Sequence, residues 1–299
     1  MSMLIKELRS VAGLEVLCDE PMSRHTSFRI GGPADLYLRP HTEHALIQAV
    51  RLVRESGTPL TVLGNGSNVL VRDEGIRGAV LGIGTEFGEV AIEGNTITAQ
   101  TGVLLSVLSN EACRAGLSGL EFAGGIPGSL GGALFMNAGA YGGQMADVVQ
   151  TTRYLAEDFS VRTVTGEAHE FGYRKSVFVQ HPEWIALSAQ MQLKPDCAEE
   201  IRARMNDFAQ RRRDKQPLNL PSAGSTFKRP EGYFAGKLIE DAGLKGFTVG
   251  GAQVSEKHAG FVVNCGGATC ADVLGLIEQV QERVLRQFGV SLEPEVRIL

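Results

Sequence analysis

Phe122–Gly143 reads FAGGIPGSLGGALFMNAGAYGG, 22 residues with eight glycines and no charged side chain. Flexible linkers do not interleave residues such as Ile126, Leu130, Leu134, Phe135 and Met136 with their glycines, so this stretch belongs to folded structure. Gly124-Gly125-Ile126-Pro127-Gly128 and Gly131-Gly132 would let a ligand approach the main chain without Cβ obstruction. Asn137-Ala138-Gly139-Ala140 supplies a second small-residue turn. The competing explanation is that these loops pack tightly against one another inside the protein.

A second bare loop lies upstream. Leu60–Leu70 reads LTVLGNGSNVL, a strand, then Gly64-Asn65-Gly66-Ser67-Asn68, then a further strand-like run. Successive backbone N–H groups in such a turn form a concave anion-binding nest. Asn65, Ser67 and Asn68 add short polar side chains at the same place. A Rossmann fingerprint would need GxGxxG opening into a helix, but its third glycine position is Val69 and the chain continues as strand. No GxxxxGK[ST] run occurs either. An ordinary tight hairpin is the alternative for this loop alone. Taken with Phe122–Gly143, it favours a dinucleotide held outside any Rossmann fold.

Composition excludes several classes. A net charge of -5 gives no general attraction to nucleic acid, and no nucleic-acid motif is present. No apolar run approaches the ~18–20 residues of a membrane helix. Lys6, Glu7 and Arg9 interrupt the start where a signal peptide would carry its apolar segment. Cys18, Cys113, Cys197, Cys265 and Cys270 are scattered and never spaced as CxxC, which points to a reducing cytoplasm and away from zinc or a disulfide framework. No metal is expected.

Helices are expected where caps meet apolar period. Thr42 precedes Leu46, Val50 and Val53, with a stop at Gly57; Gly102–Ala115 ends at Gly116. Asp196 with Glu199 reads as a capping box ahead of Ile201, Met205 and Phe208. Thr269 opens a helix with the stripe Val273, Ile277, Val280, Val284, Phe288 and a stop at Gly289. Strand-like runs cover Asp35–Leu38, Leu60–Leu63, Val69–Val71, Val80–Ile83, Val90–Glu93, Thr96–Ala99, Ile185–Leu193 and Phe261–Val263. Glu93-Gly94-Asn95-Thr96 signals a hairpin. Helices and strands mix without strict alternation, so the class is α+β. A boundary is expected near Arg211–Pro221, where RRRDK runs into a proline-flanked loop.

The ordered series VLGNGSNVLV, GIPGSLGGALFMNAGAYGG, GYRKSVF, AGSTFKRP, GLKGFTVGGAQVSEKHAGFVVN and LEPEVRIL resembles the UDP-N-acetylenolpyruvoylglucosamine reductase family from about Ser23 to Leu299. That resemblance implies a two-lobed FAD domain of the vanillyl-alcohol-oxidase (PCMH) type plus a separate α+β substrate domain. The implied division is 1–82 with the tail 291–299, then 83–213, then 214–290. It further implies bound FAD, NADPH as hydride donor, and reduction of a UDP-sugar enolpyruvyl ether to UDP-N-acetylmuramate for peptidoglycan. A cytoplasmic monomer without nucleic-acid or membrane partners is expected.

Residue by residue, the resemblance gives Gly64, Asn65, Gly66, Ser67, Asn68, Gly125, Ile126, Pro127, Gly128, Gly131, Gly132, Asn137, Ala138 and Gly139 to the cofactor. It makes Arg174 the holder of the substrate carboxylate, Glu295 the stabiliser of the enolate as a neutral acid, and Ser225 the proton donor to carbon. Tyr173, Lys215 and Arg229 would meet the substrate, Lys215 near its diphosphate; Arg297 would reach the flavin or form a salt bridge. The chain is similar to the shorter subtype, without an inserted tyrosine loop between Arg174 and Ser225, and it carries Arg229 where the longer subtype has asparagine. The rival readings are another flavin oxidoreductase of the same fold and a non-catalytic nucleotide-binding module.

Overall fold

The computed structural model describes residues 2–299. They divide into two compact units, one of residues up to 18, 36–65 and 78–211, the other of residues 19–35, 66–77 and 212–299.

In the first unit, Thr42 Oγ1 accepts from Ala45 N at 3.1 Å and opens the helix Glu43–Glu55, whose Leu46, Val50 and Val53 are fully buried. These side chains pack with Leu36, Leu38, Leu81 and Phe87. Strand Leu60–Leu63 pairs in parallel with Ala79–Gly82 at the edge of a four-stranded sheet. A second sheet of five strands is antiparallel throughout, in the order Val161–Thr165, Val149–Leu155, Ile185–Gln192, Thr96–Gln100, Val90–Glu93. The expected Glu93–Thr96 turn closes its last hairpin. Ile97, Ala99, Ala189 and Met191 of this sheet share a core with Leu105 and Leu108 of the helix Leu105–Arg114 and with Leu130 and Leu134 of the helix Leu130–Phe135.

The second unit holds the order Ser222–Ser225, Phe261–Asn264, Ala252–Val254, Thr248–Val249. Its helix Cys270–Phe288 is opened by a reciprocal Thr269/Asp272 capping box and closed by Gly289 in the left-handed region, φ 68°. Val273, Ile277, Val280 and Val284 are buried against Val254 and Val262.

Two local expectations change. The helix expected from Gly102 begins at Leu105, because Val103 O and Thr101 O instead accept from Leu130 N and Gly131 N at 2.9 and 2.8 Å. Asp196 and Glu199 form no capping box: the helix starts at Ala198, Asp196 accepts from Cys197 N and Arg204, and Glu199 accepts from the Cys197 thiol. The alternative reading of GNGSN as a tight hairpin does not hold, since Val69–Leu70 pairs in parallel with Arg297–Ile298.

Candidate active site

In the first unit the strand Leu60–Leu63 delivers Gly64 and Asn65 to the glycine-rich stretch. Asn65 Nδ2 donates to Pro127 O at 2.6 Å and ties the two loops together. Gly64 faces Ser129, so closely that a Cβ at 64 would lie 2.5 Å from Ser129 Oγ. Ser129 is 1% exposed and its hydroxyl has no hydrogen-bond partner. A buried unpaired hydroxyl costs about 1–3 kcal/mol, so it marks a place built for something else to bind. Gly125 and Pro127 are exposed beside it, with Ile126 and Gly128 half-buried. Gly132 is exposed, with no atom from outside its own helix turn within 4 Å of where its Cβ would stand. An orphaned hydroxyl, a side-chain amide and a bare backbone face suit the diphosphate and ribose of a dinucleotide.

Other residues of this stretch answer to the protein itself. Gly131 donates to Thr101 O, Ala138 donates to Ala133 O, and a Cβ at Gly139 would sit 2.7 Å from Gly143 O. Gly132 therefore offers a clean contrast. Gly132→Ala is expected to leave the thermal midpoint of the apoprotein level or slightly higher, since alanine favours helix by about 0.5–1 kcal/mol. Its FAD affinity should fall about tenfold, the cost of roughly 1.4 kcal/mol in lost contact. Titration of apoprotein with FAD, followed by flavin fluorescence, checks it; unchanged affinity would remove Gly132 from the cofactor face.

Tyr173 and Arg174 occupy the two-residue tip of a tight turn. Gly172 N donates to Lys175 O at 3.0 Å and Lys175 N donates back to Gly172 O at 3.2 Å. Arg174 has φ 54°, a conformation that non-glycine residues reach only at a cost. Its guanidinium carbon lies 5.3 Å from the Tyr173 ring centroid, and Tyr173 is 60% exposed. Asn137 is buried, and its Nδ2 donates to Gly172 O at 3.1 Å. Ser176 Oγ donates to Phe135 O at 2.6 Å. Nearby, His169 is fully buried and stacks on Phe171 at 4.9 Å. Burial pushes its pKa down, and Nδ1–H donates to Gly166 O, so neutral Nε2 accepts from Thr152 Oγ1.

The second unit assembles other expected residues. Gly66 is buried at φ 60°, where a Cβ would strike His25 O at 2.0 Å; Ser67 and Asn68 are half-buried. Asn68 Nδ2 donates to Glu295 O at 3.2 Å, and Asn68 O accepts from Arg297 N at 3.0 Å. Ser225 ends the strand Ser222–Ser225 with its side chain exposed, after an irregularity at Gly224, φ 77°. Thr226 O accepts from Glu295 N at 2.8 Å, and Phe227 bridges Pro294, so Ser225 and Glu295 stand on neighbouring backbones. Buried Thr226 fixes this arrangement by accepting from Val262 N at 3.0 Å. Arg229 sits 3.9 Å from the Phe234 ring centroid, and Lys215 lies exposed at the end of the helix Ala198–Lys215.

Sequence reasoning passed over Ser129, Ser176 and Thr226. Ser129 and Ser176 stand at the N-cap positions of the short helices Leu130–Phe135 and Val177–Gln180, which is the signal that could have drawn attention to them. Among the described residues no group of three or more His, Cys, Asp or Glu could hold a metal, and no helix is long and apolar enough to cross a membrane.

Residues 34–165 match the family of FAD binding domains, and residues 216–299 match the C-terminal domain family of UDP-N-acetylenolpyruvoylglucosamine reductase. An FAD-binding domain with a separate C-terminal domain defines the class: an FAD-dependent oxidoreductase of α+β fold. The chain is 52% identical over 285 residues to a UDP-N-acetylenolpyruvoylglucosamine reductase of Clostridioides difficile, covering 95% of this chain and 93% of that one. It is 53% identical over 284 residues to one of Alkaliphilus oremlandii, again covering 95% and 93%. The crystal structure of UDP-N-acetylenolpyruvylglucosamine reductase from Thermus caldophilus superposes with a TM-score of 0.81 at 38% identity, covering 95% of this chain and 98% of that one. The chain belongs to the UDP-N-acetylenolpyruvoylglucosamine reductase family. The family's reaction goes with that membership: NADPH-dependent, FAD-mediated reduction of UDP-N-acetyl-3-O-(1-carboxyvinyl)-glucosamine to UDP-N-acetylmuramate, a step of peptidoglycan precursor synthesis.

Proposed function

We propose that Arg174, Glu295 and Ser225 carry out this reduction in three distinct roles. Bound FAD would supply the hydride-transfer chemistry between NADPH and the methylene carbon of the enolpyruvyl ether. Hydride addition there drives charge through the neighbouring carbon into the carboxylate, giving an enolate-like dianion. The Arg174 guanidinium, a planar fork that cannot be deprotonated, binds that carboxylate and is present where charge develops. Glu295, as the neutral acid, donates a hydrogen bond that strengthens as the enolate forms. Ser225 Oγ–H gives its proton to the carbon next to the carboxylate and is re-protonated from solvent. The product carries one new C–H bond from hydride and one from the proton.

What supports this reading is the backbone pairing that sets Ser225 beside Glu295, with Asn68 of the glycine loop bonded to the Glu295 carbonyl. In the first unit, the orphaned Ser129 hydroxyl, Asn65, Gly64 and Gly132 are proposed to hold the FAD diphosphate. Lys215 and Arg229 are proposed to meet the diphosphate and base of the sugar nucleotide, with Tyr173 shaping the pocket. The proposed functional division is 1–82 with 291–299 and 83–213 for the cofactor, and 214–290 for the substrate. All five cysteines are unpaired, which suits the reducing cytoplasm proposed as its place of work, as a monomer.

The purified protein is expected to oxidise NADPH beyond one equivalent per flavin only when the enolpyruvyl sugar nucleotide is present, with parallel double-reciprocal lines as the two substrates use one pocket in turn. Steady NADPH oxidation with oxygen as acceptor and no sugar nucleotide turnover would instead favour another oxidase of this fold.

A further inference from the structure

We infer that Asn137, which belongs to the glycine-rich cofactor stretch, is a positioning residue for Arg174 and thereby acts on the substrate carboxylate step. This rests on the reading of Arg174 as the carboxylate holder. Arg174 sits at φ 54°, and a backbone in that region persists only where its surroundings over-determine it. The turn is held from both sides by one short segment, 135–137. On the near side, Asn137 Nδ2 donates to Gly172 O at 3.1 Å; on the far side, Ser176 Oγ donates to Phe135 O at 2.6 Å.

The amide of Asn137 is fully committed to protein partners. Oδ1 accepts from Ala146 N at 2.9 Å, which fixes the orientation of the amide, and the second Nδ2 hydrogen goes to Gln144 Oε1 at 3.0 Å. Asn137 is 3% exposed and itself left-handed, φ 43°, a conformation that asparagine tolerates better than most residues. This side chain has no spare donor for a cofactor, so the cofactor contact that the resemblance implied for Asn137 does not come from its amide. Its work is to carry the position of the helix Leu130–Phe135, whose Gly132 is exposed, across to the arginine turn. The same short segment thus sets both the cofactor face and the arginine turn.

Asn137→Asp tests this directly. Aspartate keeps the acceptor for Ala146 N but offers no donor to Gly172 O or Gln144. The reading expects unchanged FAD content and an unchanged rate of flavin reduction by NADPH. Reoxidation by the enolpyruvyl sugar nucleotide should slow by about 10- to 100-fold, the scale of an ångström-level misplacement. Ser176→Ala, which keeps Asn137 intact, should produce the same one-sided loss and serves if Asn137→Asp folds poorly. On an Arg174→Ala background neither change should slow reoxidation further. Loss of FAD, equal slowing of both half-reactions, no slowing, or full additivity with Arg174→Ala would each overturn the positioning role. If Arg174→Ala alone leaves reoxidation intact, the carboxylate reading of Arg174 is what has failed, and the role of Asn137 falls with it.

Discussion

Ser225→Ala is expected to leave flavin reduction by NADPH at its normal rate and to slow reoxidation by the enolpyruvyl sugar nucleotide by about 10²–10⁴-fold, the usual contribution of a positioned proton donor. The two half-reactions separate because only the second needs a proton at carbon. Stability should change by less than about 0.5 kcal/mol, since Ser225 is exposed at a strand end and its backbone partner, Phe261, is kept. Ser225→Cys retains a donor at the same place and should recover part of the rate. Anaerobic stopped-flow absorbance of the flavin reads both halves in one experiment. Normal reoxidation in Ser225→Ala would take the serine out of the chemistry.

Gly66→Ala is expected to lower the stability of the second unit by about 3–5 kcal/mol, roughly a 10 °C fall in its thermal midpoint. Two costs add. Alanine at φ 60° is strained by about 1–2 kcal/mol, and its Cβ would lie 2.0 Å from the backbone carbonyl of His25, which has no side-chain freedom to retreat. The buried loop also accepts from Ser27 N at 3.1 Å through Gly66 O, so a shift there breaks further bonds. Differential scanning of apoprotein checks it. A midpoint within 2 °C of the original would mean that Gly66 is spared for a ligand and is not required by packing.

Gly66 and Gly132 together show what was legible in the chain and what was not. Both stand out as bare backbone in the sequence, and the same rule, absence of Cβ, covers both. Only coordinates separate the one crowded by His25 from the one with open space before it. The helices Glu43–Glu55 and Cys270–Phe288 were readable because cap, apolar period and terminal glycine agree. The strands Leu14–Pro21, Val149–Leu155 and Val161–Thr165 were not. Leu14–Pro21 and Val161–Thr165 lie at sheet edges, and Val161–Thr165 buries only Val164, so the apolar alternation that signals a strand is missing. Val149–Leu155 has a partner on each side, but its charged and polar outward face masks the pattern in TTRYL.

The site divides in the same way. GNGSN and GIPGSLGG read by composition as a candidate anion cradle, whereas a lone serine or arginine announces nothing. Ser225, Arg174 and Glu295 were reachable only through the family motifs around them. The contacts of Asn137 lay outside any motif reading, because its partner Gly172 is 35 residues away along the chain.

The most direct test of the account is a single anaerobic turnover. Protein-bound flavin bleached by one equivalent of NADPH is mixed with the enolpyruvyl sugar nucleotide, without oxygen. The account predicts full return of the oxidised flavin spectrum with one UDP-N-acetylmuramate formed per flavin. Flavin that stays bleached until oxygen is admitted, with the sugar nucleotide unchanged, would contradict it.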